Sequence, residues 1–144
     1  MRDAVGGSFM IKVLLVFLTV YIIFIAVALN YAKAFRVKNK VIDIIEQNEG
    51  IRDYTDTSGT IGEINTYLKK ASYNVNLTEK NKKDRGVCYD LGYCIDESSE
   101  IRDGNITSKY YQVTTFVRIE FPFFNLNITI PIKGETRKVE RINN

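Results

Sequence analysis

The chain of 144 residues has no histidine and no tryptophan, and only two prolines and two cysteines. Without histidine it lacks both the commonest general base and the commonest transition-metal ligand. Two cysteines with no other soft ligand fall short of a metal site. A large charge imbalance is also missing. The formal net charge is +3, much of it beside one apolar segment, and basic and acidic residues nearly balance from Ile51 onward. The distal part therefore has no strong electrostatic reason to bind nucleic acid. No glycine-rich phosphate loop, nucleophile elbow or paired-carboxylate arrangement stands out. The absences point away from an enzyme, and no cofactor or metal is expected.

What is present is an apolar run, Val13–Leu29, VLLVFLTVYIIFIAVAL. Thirteen of its residues are Leu, Ile, Val or Phe. At about −0.3 to −0.6 kcal/mol each, they favour membrane insertion by roughly 4–8 kcal/mol. Thr19 and Tyr21 do not cancel that. The run is at the short end of what crosses a hydrocarbon core, but Lys12 before it and Asn30 and Lys33 after it can snorkel and extend it. A buried core helix is the competing reading. The remainder, roughly 95–110 residues, is one small domain at most and too polar to bury such a helix all round.

Beyond Leu29 the helical pattern continues. Ala34, Val37, Val41, Ile44 and Ile45 recur at helical spacing, with charged residues on most other positions. No proline or glycine interrupts before Gly50, a suitable C-terminal stop. The spacing predicts one helix from about Phe9 to Asn48, roughly 60 Å long. Its second half must bury an apolar stripe, and Val37, Val41 and Ile45 are expected against a sheet. The expected organisation is a leader over 1–7, a transmembrane helix over 8–32, an amphipathic continuation over 33–49 and an α+β domain over 50–144.

A capping-box pattern, Thr60 followed by Glu63, opens a short amphipathic helix ending near Ser72. Tyr73, Val75 and Leu77 alternate with asparagines as a strand does. Residues 79–85 read as a charged loop, and 96–103 as a solvated acidic loop with a turn at Asp103-Gly104-Asn105. Asp96, Glu97, Glu100 and Asp103 match no EF-hand spacing. The clearest strand is Tyr110–Phe121, with Tyr111, Val113, Thr115, Val117 and Ile119 on one face. Pro122 breaks it. Leu126–Lys133 forms the next strand, where Pro131 argues for a sheet edge. Gly134 is expected to turn the chain into a last polar strand, 135–142. Most tyrosines fall on strands, where cross-strand packing accounts for them.

Cys88 and Cys94 are the two cysteines. In an exported small domain a close pair reads as a disulfide, whereas redox chemistry usually uses a tighter Cys-x-x-Cys.

Two stretches carry a family resemblance. Gly6-Gly7-Ser8-Phe9 leads into the apolar run. YYQVTTFVRIEFPFFNLNITIPIKGETRKVE, from Tyr110 to Glu140, gives an alternating strand, an aromatic-proline break, a second strand and a polar end. Together they resemble type IV pilin-like proteins, and more narrowly the TadE-like minor pseudopilins of tight-adherence (Tad/Flp) pilus systems. The resemblance covers about half the chain; 51–109 reads as a variable insert. It implies a type IV pilin-like α+β fold, a long membrane-spanning helix packed on a small antiparallel sheet. It also implies a structural role in a pilus or secretion filament, as an initiating, capping or minor subunit. The implied partners are membrane lipid, other pilin-like subunits through Ile11–Ala32, a prepilin peptidase and a pilus assembly platform. Peptidase cleavage would fall after Gly7, leaving Ser8 as the new N-terminus; the plainer reading is a flexible tail. Pilins usually carry glutamate at the fifth residue after the cut, and this chain has Lys12. A lysine there repels a neighbour's free amine, or serves simply as an interfacial anchor.

Orientation is contested within the sequence. Lys33, Arg36, Lys38 and Lys40 after the apolar run outnumber Arg2 and Lys12 before it, which favours a cytoplasmic C-terminal part. The cysteine pair and the pilin-like plan favour a single-pass cell-membrane protein with its domain extracytoplasmic. Lys12, Lys33 and Arg36 are the expected membrane-interface residues. The alternative function is a stand-alone anchored module that binds a surface ligand through 51–109.

Overall fold

The computed structural model describes residues 2–55, 58–102, 105–121 and 126–138. One helix, α1 (Arg2–Gln47), is followed by α2 (Thr60–Lys70), α3 (Glu79–Lys82) and four strands: β1 (Val87–Tyr89), β2 (Tyr93–Arg102), β3 (Asn105–Phe121) and β4 (Leu126–Glu135). The strands form one antiparallel sheet in the order β1-β2-β3-β4. The architecture is α+β: a long N-terminal helix, apolar in its first half, whose second half packs on a small sheet.

At 46 residues α1 is about 69 Å long. It begins earlier than the sequence pattern predicts and runs through Gly6 and Gly7. A helical glycine costs only about 1 kcal/mol, and extending an existing helix costs far less than nucleating one. The C-terminus follows the expected stop closely. Glu49 takes the left-handed conformation (φ 55°) and Gly50 follows at φ 107°. Glu49 N–H bonds Glu46 O and Gly50 N–H bonds Ile45 O, the paired bonds of a Schellman cap. A side chain at Gly50 would collide with the Tyr111 hydroxyl, 2.8 Å from an ideal Cβ.

The helical stripe is the core. Ala34, Val37, Val41, Ile44 and Ile45 are each at most 1% exposed. They meet Val113, Thr115 and Val117 of β3, and the Thr115 hydroxyl donates to Ala34 O. Ile61, Ile64 and Leu68 of α2 close the same core. Lys38 belongs to the buried set as well. Its stem lies over Gly134, and its ammonium sits 4.3 Å from the Phe35 ring centroid.

Several local expectations change. Gly134 makes no turn: β4 continues through it to Glu135. A Cβ at Gly134 would lie 2.8 Å from Lys38 Cδ and 2.9 Å from Ile42 Cδ1, so the residue is small because α1 crosses there. Residues 136–138 are not a strand. The rest of the expected last strand, the turn residues Asp103 and Gly104, and the connection 122–125 lie outside the described residues. The acidic stretch is strand β2, not a loop. Across the sheet Glu97 meets Lys109 and Tyr54, while Glu100 meets Ser108 and Lys138. These partners make the carboxylates acceptable on a strand. Residues 73–77 stay extended without a ladder: Tyr73 N–H bonds Leu68 O at the end of α2, and Val75 N–H bonds Leu91 O. Within 79–85, α3 supplies one short helical turn. The capping box does not form either. Gly59 is the N-cap of α2, the Thr60 hydroxyl donates to Gly50 O, and Glu63 accepts from Asn48 Nδ2. Pro131 does sit on the edge strand, opposite Phe116.

Both faces of β3 are covered at its middle. Phe116, on the face away from α1, is fully buried, with the Arg85 guanidinium 5.1 Å above its ring. The sheet is staggered: β2 pairs with residues 105–115 of β3, and β4 pairs with 112–121. Just before β2 begins, Gly92 turns away at φ 90°, and the Tyr73 hydroxyl takes its place beside Phe116. That hydroxyl accepts from Phe116 N–H at 2.8 Å and lies within bonding distance of Phe116 O and Gly92 O.

Candidate functional site

The residues singled out in the sequence are distributed along α1 and at one end of the sheet. Gly7 and Ser8 lie on the exposed first turns of the helix. A Cβ added at Gly6 or Gly7 meets nothing within 4 Å, and neither glycine has a positive φ. Packing therefore does not require glycine at either position. Lys12 is exposed on the same helix.

Between Lys12 and Lys33 lie 21 helical steps, about 31 Å. That matches a hydrocarbon core of about 30 Å. Every described side chain from Phe9 to Tyr31 is exposed except Thr19, Ile23 and Val27, which are half-buried. The Thr19 hydroxyl donates to Leu15 O within the helix, which removes an unpaired donor from an apolar surface. The helix is long and apolar enough to cross a membrane, and this part of it is not buried by the domain. The pattern is consistent with single-pass membrane anchoring.

At the far end of the run the helix meets the domain without a linker. Val27 already packs against the domain core. Lys33 Nζ donates to Ser72 O at 2.7 Å, just after the C-terminus of α2. Asn30 and Lys33 line a cleft of about 290 Å³ together with Ser72, Tyr73, Val117 and Arg118. Arg36 is exposed. Of the four basic residues that follow the apolar run, Lys33 and Lys38 are thus held by the folded domain rather than left in a bare juxtamembrane tail.

Cys88 and Cys94 form a disulfide. They face each other across β1 and β2, with Cα atoms 4.0 Å apart. The bond fastens the short β1 strand to the sheet, a device that small exported domains use.

No protein family, characterised protein or solved structure compared with the chain matches it.

The remaining polar groups are largely spent within the fold. The rings of Tyr89 and Tyr93 stack at 4.7 Å. Tyr89 donates to Tyr54 O, Tyr93 to Asn65 Oδ1 and Tyr54 to Glu97 Oε2. Burial raises the Tyr54, Tyr73, Tyr89 and Tyr93 phenols above their ordinary value, Tyr73 and Tyr89 to about 12. The Glu97 carboxylate adds to the effect on Tyr54. These phenols keep their protons at neutral pH and bond within the fold. Among the described residues no group of three potential metal ligands comes together. Sequence reasoning missed the buried Lys38 and the Tyr73 plug. Lys38 follows Val37 directly and lies one turn from the apolar Ala34 and Val41, so its position on the stripe's border was its signal.

Proposed function

We propose that this chain is a single-pass minor pseudopilin, a structural subunit of a Tad or type IV-like pilus or secretion filament. The observation that carries this reading is the continuity of α1. One helix presents about 31 Å of exposed apolar surface between two lysines and then becomes the core of an α+β domain. A helix bare on all sides in its first half is suited to pack against lipid and against equivalent helices of partner subunits. The domain would face outward, where the Cys88–Cys94 disulfide is chemically at home. Glycines at positions 6 and 7 that packing does not require suit recognition by a prepilin peptidase, with cleavage after Gly7. Lys12, in place of the acid usual in pilins, suits a subunit that begins or caps a filament, because a lysine repels a neighbour's ammonium instead of pairing with it.

Intact-mass measurement on the protein extracted from its native membrane tests this. The expected mass lacks Met1–Gly7. Retention of the full N-terminus in cells that process their other pilins refutes the filament reading and leaves the stand-alone anchored module.

A further inference from the structure

The β3–β4 end of the sheet carries apolar surface that the domain does not cover. Ile132, Ile130 and Ile128 of β4 lie opposite Thr115, Val117 and Ile119 of β3, on the face turned towards α1. Ile132 is 8% exposed, but Ile130 is 40% and Ile128 39% exposed. The two exposed residues lie on the side towards the N-terminal half of α1. β4 runs back along the helix. Arg137 N–H bonds the Glu46 carboxylate, Gly134 lies against Lys38 and Ile42, and Ile132 pairs with the Thr115 that reaches Ala34. From Ile132 to Ile128 the strand advances about 13 Å. That is the rise of about nine helical residues. Followed along the helix axis, that advance carries the strand towards Asn30 and the apolar run, where Val27 is already packed against the core.

We propose that this end of the sheet is a second membrane contact, with Ile128 and Ile130 seated in the outer part of the bilayer that α1 crosses. The occupant is lipid. Val27, inside the apolar run, packs against the same core that the sheet encloses, so an anchor that places Val27 at acyl depth draws the exposed isoleucines of β4 towards the lipid. Polarity is graded accordingly. Lys33 and Arg118, with Asn30, line the cleft at the level where the apolar run ends, the depth at which headgroups accept cations. Ile128 lies one pleat further in. The domain would then stand at a fixed tilt on the membrane instead of swivelling on its helix.

The inference rests on the anchor reading, and the test separates the two. The chain has no tryptophan, so one introduced indole reports its own surroundings. Full-length Leu18→Trp, Ile128→Trp, Ile130→Trp and Ser99→Trp proteins are placed in phosphatidylcholine–phosphatidylglycerol vesicles. The lipids carry bromine near either the carbonyl end or the methyl end of the acyl chain. Position 18 is expected to be quenched by the deep bromines. Positions 128 and 130 should lose about half their emission to the shallow bromines, 128 more than 130. Position 99, far along β2, should be unaffected. If 18 is quenched while 128 and 130 behave like 99, the second contact does not exist. Blue-shifted emission at 128 and 130 without bromine quenching means that protein covers them, which also overturns the proposal. If 18 itself escapes quenching, the anchor reading fails first.

Discussion

The Tyr73 hydroxyl is the most exacting polar contact in the domain, and Tyr73→Phe isolates it. β2 begins only at Tyr93, opposite Thr115, so Phe116 in the middle of β3 faces no strand residue on that side. Its N–H finds Tyr73 Oη at 2.8 Å. The phenol proton goes to Phe116 O at 2.9 Å or Gly92 O at 3.0 Å. Phe116 is fully buried and Tyr73 is 4% exposed, so water cannot replace the lost group without opening the sheet. The variant keeps the ring and its packing and strands one buried N–H, at a cost of about 1–3 kcal/mol. For a domain of this size each kcal/mol moves Tm by roughly 4–8 °C. Thermal unfolding of the full chain in detergent, followed by circular dichroism, should show a drop of roughly 5–20 °C. The exposed Tyr31→Phe should show none. A Tyr73→Phe protein that melts with the native chain refutes the plug.

The same phenol gives a pH prediction. Burial raises Tyr73 to about 12, against about 10 in the unfolded chain. Below pH 10 both states keep the proton and its stabilisation is complete. Between about 10 and 12 only the unfolded chain releases it, so stability falls as pH rises. Unfolding midpoints between about pH 10 and 12 should therefore fall less steeply in Tyr73→Phe than in the native chain. Ile45→Ala, at a fully buried stripe position, should cost about 2–5 kcal/mol and expose the domain to limited proteolysis, whereas Phe35→Ala should not. Gly134→Val forces a side chain against Lys38 and Ile42 and should cost about 1–3 kcal/mol, read as a lower Tm. Replacing both cysteines by serine should cost about 2 kcal/mol for so short a loop, and a denaturant titration of the reduced and oxidised chain should agree with it.

Much of this architecture is written in periodicity. The stripe from Ala34 to Ile45 and the alternation along 111–119 each signal a face, and two unsatisfied faces find each other. Pro131 announces an edge because it cannot donate to a ladder. What was not legible depends on partners distant in sequence. Glu97 and Glu100 look solvated until Lys109, Lys138 and Tyr54 are seen across the fold. Gly134 looks like a turn until Lys38 and Ile42 are seen above it. Lys38 counts as a surface charge until its stem is laid on that glycine and its ammonium on Phe35. For the site, the sequence brackets the apolar run with Lys12 and Lys33, and it does not reveal that Lys33 is tied to Ser72 or that Ile128 and Ile130 of β4 are left exposed.

In the proposed arrangement one helix crosses the membrane and becomes the core of an outward-facing domain closed by the Cys88–Cys94 disulfide. Thiol modification in right-side-out spheroplasts tests it most directly. A membrane-impermeant maleimide polymer is applied with and without an impermeant reductant. Two additions, at Cys88 and Cys94, are expected only after reduction and without lysis. Additions that need lysis but no reductant would place free thiols in the cytoplasm and contradict it.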